Sequence, residues 1–333
     1  MIASPQLHLD DRLVAGVDVG GTKISVVVTD GRDRIIYEHL APTDQSALVR
    51  QIADIVGEAR LQLGQDIAAV GVAVPGFVDA DNGSVSTAVN LGITHLPLGP
   101  MLEAELGVPT FVEHDARAAA VWVSEQAGDD SAETPRSVAF LAIGTGISAG
   151  VVLDGDLFRG DNSFAGEVGH VVADPDGEIC ACGLRGCLET IVAGPAIGRQ
   201  ADEALAAGRS TVQLPHSHAG DVFRAGSAGD AVAVEITNRV ADHLARAIRS
   251  LVLTLGVNRV VIGGGVAAAG AALLEPIQSS IARERAASPL AQAAMGDVTV
   301  ELLSPTQAPG ARGAAAIARH RIDLPDREGV GER

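Results

Sequence analysis

Three cysteines, Cys180, Cys182 and Cys187, stand within eight residues, and the rest of the chain has none. His170 precedes them by ten residues. Thiolates and an imidazole are the ligands zinc takes in a tetrahedral shell, and four of them close it, which makes such an ion structural rather than a source of hydroxide. Gly177, Gly183 and Gly186 supply the bends needed to wrap one ion. In a reducing compartment this spacing points to metal rather than to a disulfide. The bland alternative is three free thiols in a loop.

Three glycine turns form a second group. Asp18-Val19-Gly20-Gly21-Thr22-Lys23 separates two β-rich runs. Glycines there let backbone N–H groups approach phosphate oxygens, Thr22 adds a hydroxyl, and Lys23 adds charge. Asp18, at a strand end, is suited to orient Mg²⁺ through water. No helix follows, so this is not the P-loop GxxxxGK[ST] pattern, and a plain hairpin turn explains the glycines as well. Gly144-Thr145-Gly146 repeats the arrangement. Gly263-Gly264-Gly265 follows a VVI strand and precedes an Ala-rich helix, where it can present N–H groups to phosphate or pass under a base.

A third group is polar and dispersed: Asn90, Glu113, His114, Asp115, Glu167, His170 and Glu189. Carboxylates and amides suit sugar hydroxyls because each can accept or donate in pairs. Asp115 is the natural general base. It also stands directly before ARAAAV, where an aspartate is a good helix N-cap, so both readings stay open. Arg117 reads equally as a solvated helix residue.

The elements that must position these residues follow from periodicity. Strands are expected at 13–19, 24–29, 35–40, 68–74, 110–112, 138–143, 148–153, 260–262 and 298–302. Helices are expected at 47–63, 98–106, from 115 onward, at 231–255 and at 310–320. The strand–glycine turn–strand unit occurs twice, which suggests two related halves. A polar loop is expected at 129–136 and a disordered charged tail from Asp323.

The chain has 333 residues, a length that suits two domains or one large one. Hydrophobic residues make up 47% and aromatics 2%, so the core must be aliphatic. The net charge is −18, which opposes binding to phosphate backbones or anionic lipid. Lys23 is the only lysine. No 18-residue apolar run and no signal-peptide pattern is seen, so the expectation is a cytoplasmic protein with neither membrane nor nucleic acid as partner.

Taken together, GVDVGGTKI, PGFVD, EHDARAAA, AIGTGISAGVV, GEVGH, CACGLRGCLE and VVIGGGV resemble the ROK family of sugar kinases and repressors, within the actin-like ATPase superfamily. The resemblance runs from about residue 14 to residue 318. It implies an α/β fold of two actin-like (ribonuclease H-like) lobes with a nucleotide and sugar cleft between them. The expected lobes are 1–114, completed by a helix at 310–321, and 115–309, with the zinc loop at 170–187. The implied activity is ATP-dependent phosphorylation of a hexose at its 6-hydroxyl, most simply glucose. An N-acetylhexosamine, mannose or fructose substrate is the alternative.

Asp115 would then be the base, and Asn90, His114, Glu167, His170 and Glu189 would bind the sugar. His170 would join Cys180, Cys182 and Cys187 on a structural Zn²⁺, so one imidazole serves metal and sugar. Asp18, Gly20, Gly21, Thr22, Lys23, Gly144, Thr145 and Gly146 would face the phosphates of ATP and its Mg²⁺, and Gly263, Gly264 and Gly265 the adenosine. Family kinases usually read Glu-Asn-Asp-x-Asn where this chain has Glu113-His114-Asp115-Ala116-Arg117. The family also implies a homodimer or homotetramer. Its repressors carry a helix-turn-helix domain before the first phosphate motif, where this sequence has 13 residues ahead of Val14, so a kinase is expected.

Overall fold

The computed structural model describes residues 12–126, 137–209 and 218–323. The loop expected at 129–136 and the tail beyond Asp323 lie outside the described residues. The chain opens with β1 (Leu13–Val19), β2 (Lys23–Thr29) and β3 (Ile35–Pro42), then α1 (Leu48–Leu63) and β4 (Ile67–Val74). The short hairpin β5 (Phe77–Asp79) and β6 (Ser84–Thr87) follows, then α2 (Leu98–Leu106), β7 (Thr110–His114) and α3 (Asp115–Glu125). These strands, apart from the hairpin, form one sheet in the order β3-β2-β1-β4-β7. β1, β2 and β3 pair antiparallel, while β4 and β7 join β1 in parallel. The central strands read as continuous apolar runs because both faces are covered.

The second half begins with β8 (Val138–Ile143), β9 (Ile147–Leu153) and β10 (Asp156–Leu157). Helices α4 (Glu189–Val192), α5 (Gly194–Ala206), α6 (Ala219–Ser227) and α7 (Ala231–Leu255) come next. Then follow β11 (Arg259–Gly263), α8 (Ala271–Ala287), α9 (Pro289–Met295) and β12 (Thr299–Leu302). Its sheet runs β10-β9-β8-β11-β12, with two antiparallel and two parallel pairings in the same places as in the first sheet. Identical strand order and direction in two sheets is what a duplicated unit predicts. Helix α7 spans the residues expected of it: the Asp230 side chain accepts the Ala233 N–H (2.8 Å) at its start, and Gly256 in the left-handed region ends it.

The described residues divide into two compact units. One takes residues 12–126, Asp161–Ser163 and 308–323; the other takes the remainder. The boundary expected after residue 114 falls at the β7–α3 junction, and α3 clusters with the first unit because it packs on the C-terminal helix, Pro309–Asp323. Glycines let that helix approach. A Cβ on Gly16 or Gly71 would overlap the carbonyl oxygen of Ala311 or Ala314, and one on Gly313 would overlap that of Ala118. Backbone therefore lies on backbone, and only small residues fit the seam. At its rim the Trp122 Nε1–H donates to Asp33 Oδ2 (3.0 Å), and the Arg312 guanidinium pairs with Asp33 while stacking 4.6 Å from the Trp122 ring. Among the described residues no helix is long and apolar enough to cross a membrane.

Candidate active site and metal centre

In the first unit the site residues gather at the carboxyl ends of the parallel strands, where open α/β sheets bind ligands. Asp18 of β1 and Glu113 of β7 both face Ala73 of β4 in register, so the ends of three strands meet. β7 extends to His114, two residues beyond the expected end, because Glu113 and His114 keep pairing with Ala73 and Val74. Asp115 is the first residue of α3, and His114 occupies the cap position without making a side-chain cap bond. The Ala116 N–H donates to Asp115 Oδ1 (2.6 Å), so the carboxylate folds onto the adjacent amide rather than capping the turn. Of the two readings left open by the sequence, the helix cap is not the one the geometry follows.

The first glycine turn is tight, with Gly20 N–H bonded to the Lys23 carbonyl (2.9 Å). Thr43 Oγ1 donates to the Gly20 carbonyl (2.7 Å) and supports it from behind. Gln45, which the sequence did not single out, donates from Nε2 to the carbonyls of Gly21 (3.1 Å) and Asn90 (3.0 Å). Asn90 thus stands against the phosphate-type turn, although 69 residues of chain separate it from Gly21 in sequence. The Asp18 carboxyl is pushed up to about 7, first by desolvation and then by the Asp115 carboxylate, against the pull of Lys23. Asp18 also touches Gly310 of the C-terminal helix, where no Cβ has room. The neighbouring Asp115 charge makes a negative field at Asp18 that a cation such as Mg²⁺ would relieve.

In the second unit the Gly144 N–H bonds to the Gly146 carbonyl (2.9 Å), and Gly194 N–H to the Gly144 carbonyl (2.8 Å). Glu189 Oε2 accepts the Ile147 N–H (3.2 Å) and fills the place where Gly146 lacks a Cβ. Gly264 is left-handed and slides beneath the Ile143 carbonyl, bringing the second and third glycine turns together. Beside the third turn is a cavity of about 630 Å³ lined by Phe223, Arg224 and Ser227 of α6 together with Gly265, Ala269 and Ala272. The sequence carries no local signal for the α6 side of this cavity, which exists only through packing of α6 on the 265–272 segment.

Glu167 precedes a short 3₁₀ turn, Val168–His170, that presents the imidazole. The ligand atoms of His170, Cys180, Cys182 and Cys187 all lie within 4.8 Å of one another. Cys182 Sγ is 3.6 Å from Cys187 Sγ, and Cys180 Sγ is 3.7 Å from His170 Nδ1. A tetrahedron with Zn–S bonds of about 2.3 Å has S···S edges of about 3.8 Å, so the donor spacing fits zinc. Gly183 and Gly186 are left-handed, and a Cβ on Gly186 would strike the Asp174 carbonyl. Burial pushes the Cys187 thiol up to about 12 and raises Cys180, whereas the Leu184 N–H lowers Cys182. Buried thiols that resist ionisation alone are stabilised as thiolates by a dication. Cys180 Sγ lies 3.8 Å from Glu189 Oε1, so the metal cluster, Glu189 and the Gly146 turn are contiguous.

The model of the ROK family matches residues 14–321. The chain belongs to the ROK family. It is 35% identical over 285 residues to the glucokinase of Halalkalibacterium halodurans, covering 81% of this chain and 85% of that one. It is also 35% identical over 256 residues to the N-acetylmannosamine kinase of Citrobacter koseri, covering 75% and 82%. In three dimensions it is similar to a ROK family glucokinase from Streptomyces griseus in complex with glucose and AMPPNP. That match has a TM-score of 0.73 and 29% identity, over 92% of this chain and 99% of the other. The two α/β units of this ROK protein are accordingly of the actin-like type.

Proposed function

We propose that this ROK protein is a cytoplasmic ATP-dependent hexose kinase that converts glucose to glucose 6-phosphate. The observation that carries the reading is the Asp115 carboxylate, held by one oxygen at the head of α3 and close enough to Asp18 to raise its pKa. It is an open acid–base group at a strand end, as proton transfer to an attacking hydroxyl requires. In the reaction O6 of the sugar attacks the γ-phosphorus. The new O6–P bond forms as the bond to the ADP oxygen breaks, and the O6 proton passes to Asp115. Catalysis of this kind depends mainly on positioning and charge neutralisation. Asn90, Glu167, His170 and Glu189 orient the sugar. The turns at Gly20–Lys23 and Gly144–Gly146 cradle the phosphates. Gly263–Gly265 and the cavity beside α6 take the adenosine. Asp18 would help hold the Mg²⁺ that travels with ATP, which would supply neutralisation of phosphate charge. His170, Cys180, Cys182 and Cys187 would hold a structural Zn²⁺, and that ligation would fix the orientation of the His170 imidazole toward the sugar.

The similarity to an N-acetylmannosamine kinase favours that sugar as the second reading. A coupled ADP-release assay over glucose, mannose, fructose, N-acetylglucosamine and N-acetylmannosamine decides. The highest kcat/KM on glucose is expected; a clear preference for a 2-acetamido sugar overturns glucose. Asp115→Ala should lose about a thousandfold or more in kcat while remaining folded, and near-normal turnover would remove Asp115 from its role.

A further inference from the structure

The His114 imidazole stands against the Asp115 carboxylate. Its Nδ1 lies 3.3 Å from Asp115 Oδ1, within ion-pair distance. A carboxylate oxygen accepts, so the donor across this contact is Nδ1. The same Oδ1 receives the Ala116 N–H at 2.6 Å. The imidazole is packed away, with a side chain 8% exposed, while that of Asp115 is 36% exposed. The His114 main chain is locked as well. Its N–H donates to Glu113 Oε1 (2.9 Å), and that carboxylate pairs with Arg117 Nε at 2.8 Å, both side chains being at most 3% exposed. Arg117 in turn donates from a terminal nitrogen to the Ser163 carbonyl (2.8 Å). A buried ion pair therefore sets the residue that sets the carboxylate, at the point where strand gives way to helix and no regular backbone pairing fixes the Asp115 side chain.

We infer that His114 is a positioning residue for Asp115: with the Ala116 N–H it pins Oδ1, so that Oδ2 is the oxygen that takes the hydroxyl proton. The inference rests on Asp115 being the base. It assigns His114 to the acid–base machinery rather than to the sugar contact expected from its place in the sequence.

Full-length zinc-loaded enzyme is the material for the test. In His114→Ala the carboxylate is freed to rotate, and kcat should fall at least about tenfold. The glucose Kd, read from the Trp122 fluorescence, and the KM for ATP should stay within about twofold. His114→Asn places an amide N–H where Nδ1 was and should restore kcat. His114→Gln, whose amide lies further out, should not. This pair of variants decides even where the alanine variant folds poorly. In an Asp115→Ala background, adding His114→Ala should cost nothing further, because residues acting as one unit are not additive. A raised glucose Kd with kcat intact makes His114 a sugar ligand and overturns the inference. So does equal activity in all variants, or an additive loss. If Asp115→Ala itself keeps normal turnover, it is the assignment of the base that fails, whatever the His114 series shows.

Discussion

Asp18 and Asp115 are carboxyls close enough for one to act on the other. Burial and the Asp115 charge hold Asp18 up near 7, whereas Asp115 is open, with one oxygen accepting the Ala116 N–H and lying 3.3 Å from His114 Nδ1. A folded-state value raised from 3.8 means that the folded protein holds this proton more tightly than the unfolded chain. Stability is then greatest below the unfolded value and declines as pH rises from about 4 to about 7. Asp18→Asn should accordingly stabilise the ligand-free protein by about 1–2 kcal/mol at pH 8, after allowance for partial solvent contact, and by nothing at pH 4. Urea unfolding at both pH values, without added Mg²⁺, measures it; no gain at pH 8 would refute the conflict of charges. The same variant should lose ATP turnover, a trade of stability for activity. At the metal cluster, Cys187→Ser should lower zinc from about one per chain to none, reduce the melting temperature, and reduce sugar affinity with it; metal analysis by mass spectrometry checks the first. The three cysteines of the candidate metal cluster could be read directly because cysteine occurs nowhere else in the chain. Gln45 and Phe223 could not, since an amide and a ring gain meaning only from what packs against them.

Among the elements, those with strong end signals could be read directly. α2 ends at Leu106 before a left-handed Gly107, and α7 runs from the Asp230 cap to Gly256, both as expected. α5, α6 and α9 were not read. Their runs are short and rich in small residues, so the buried stripe that α5 and α6 present carries little bulk to mark it in the sequence. The hairpin β5–β6 was not expected, because its strands have only three and four residues. The C-terminal helix and its place in the first lobe were expected, but not its close approach to β1, β4 and α3, which depends on the missing Cβ atoms of Gly16, Gly71 and Gly313. Gly313→Ala should cost at least about 3 kcal/mol, since the new methyl meets a backbone carbonyl that cannot give way; Gly57→Ala, on α1 with nothing within 4 Å, is the control and should be neutral or stabilising. At the other end of the helix His320 pairs with Glu125 at 3.0 Å, and that hydrogen bond raises the imidazole above its usual 6.5. The contribution is full below the unfolded value and is lost as pH rises past the raised one. His320→Ala should therefore lower the melting temperature more at pH 6 than at pH 8; equal losses would exclude the ion pair as the cause.

At the level of the molecule, two sheets of matching order carry separate aliphatic cores. The strand–glycine–strand repeat made the duplication visible in the sequence; strand order was not, because it is decided by crossovers through helices. Truncation after Gln307 removes the helix that covers Gly16 and Gly71, and should abolish the first unit while leaving the second, with about one zinc per chain, as a protease-resistant fragment. Loss of both units together, or survival of both, would contradict that division. The C-terminal helix constrains how the protein is made. Its residues leave the ribosome only after the whole second half has been translated, so β1 and β4 emerge first yet are roofed last. The nascent first sheet must wait, its glycine groove bare, through all that intervening synthesis, and the order in which the halves become protease-resistant on the ribosome should be the reverse of their order in the gene.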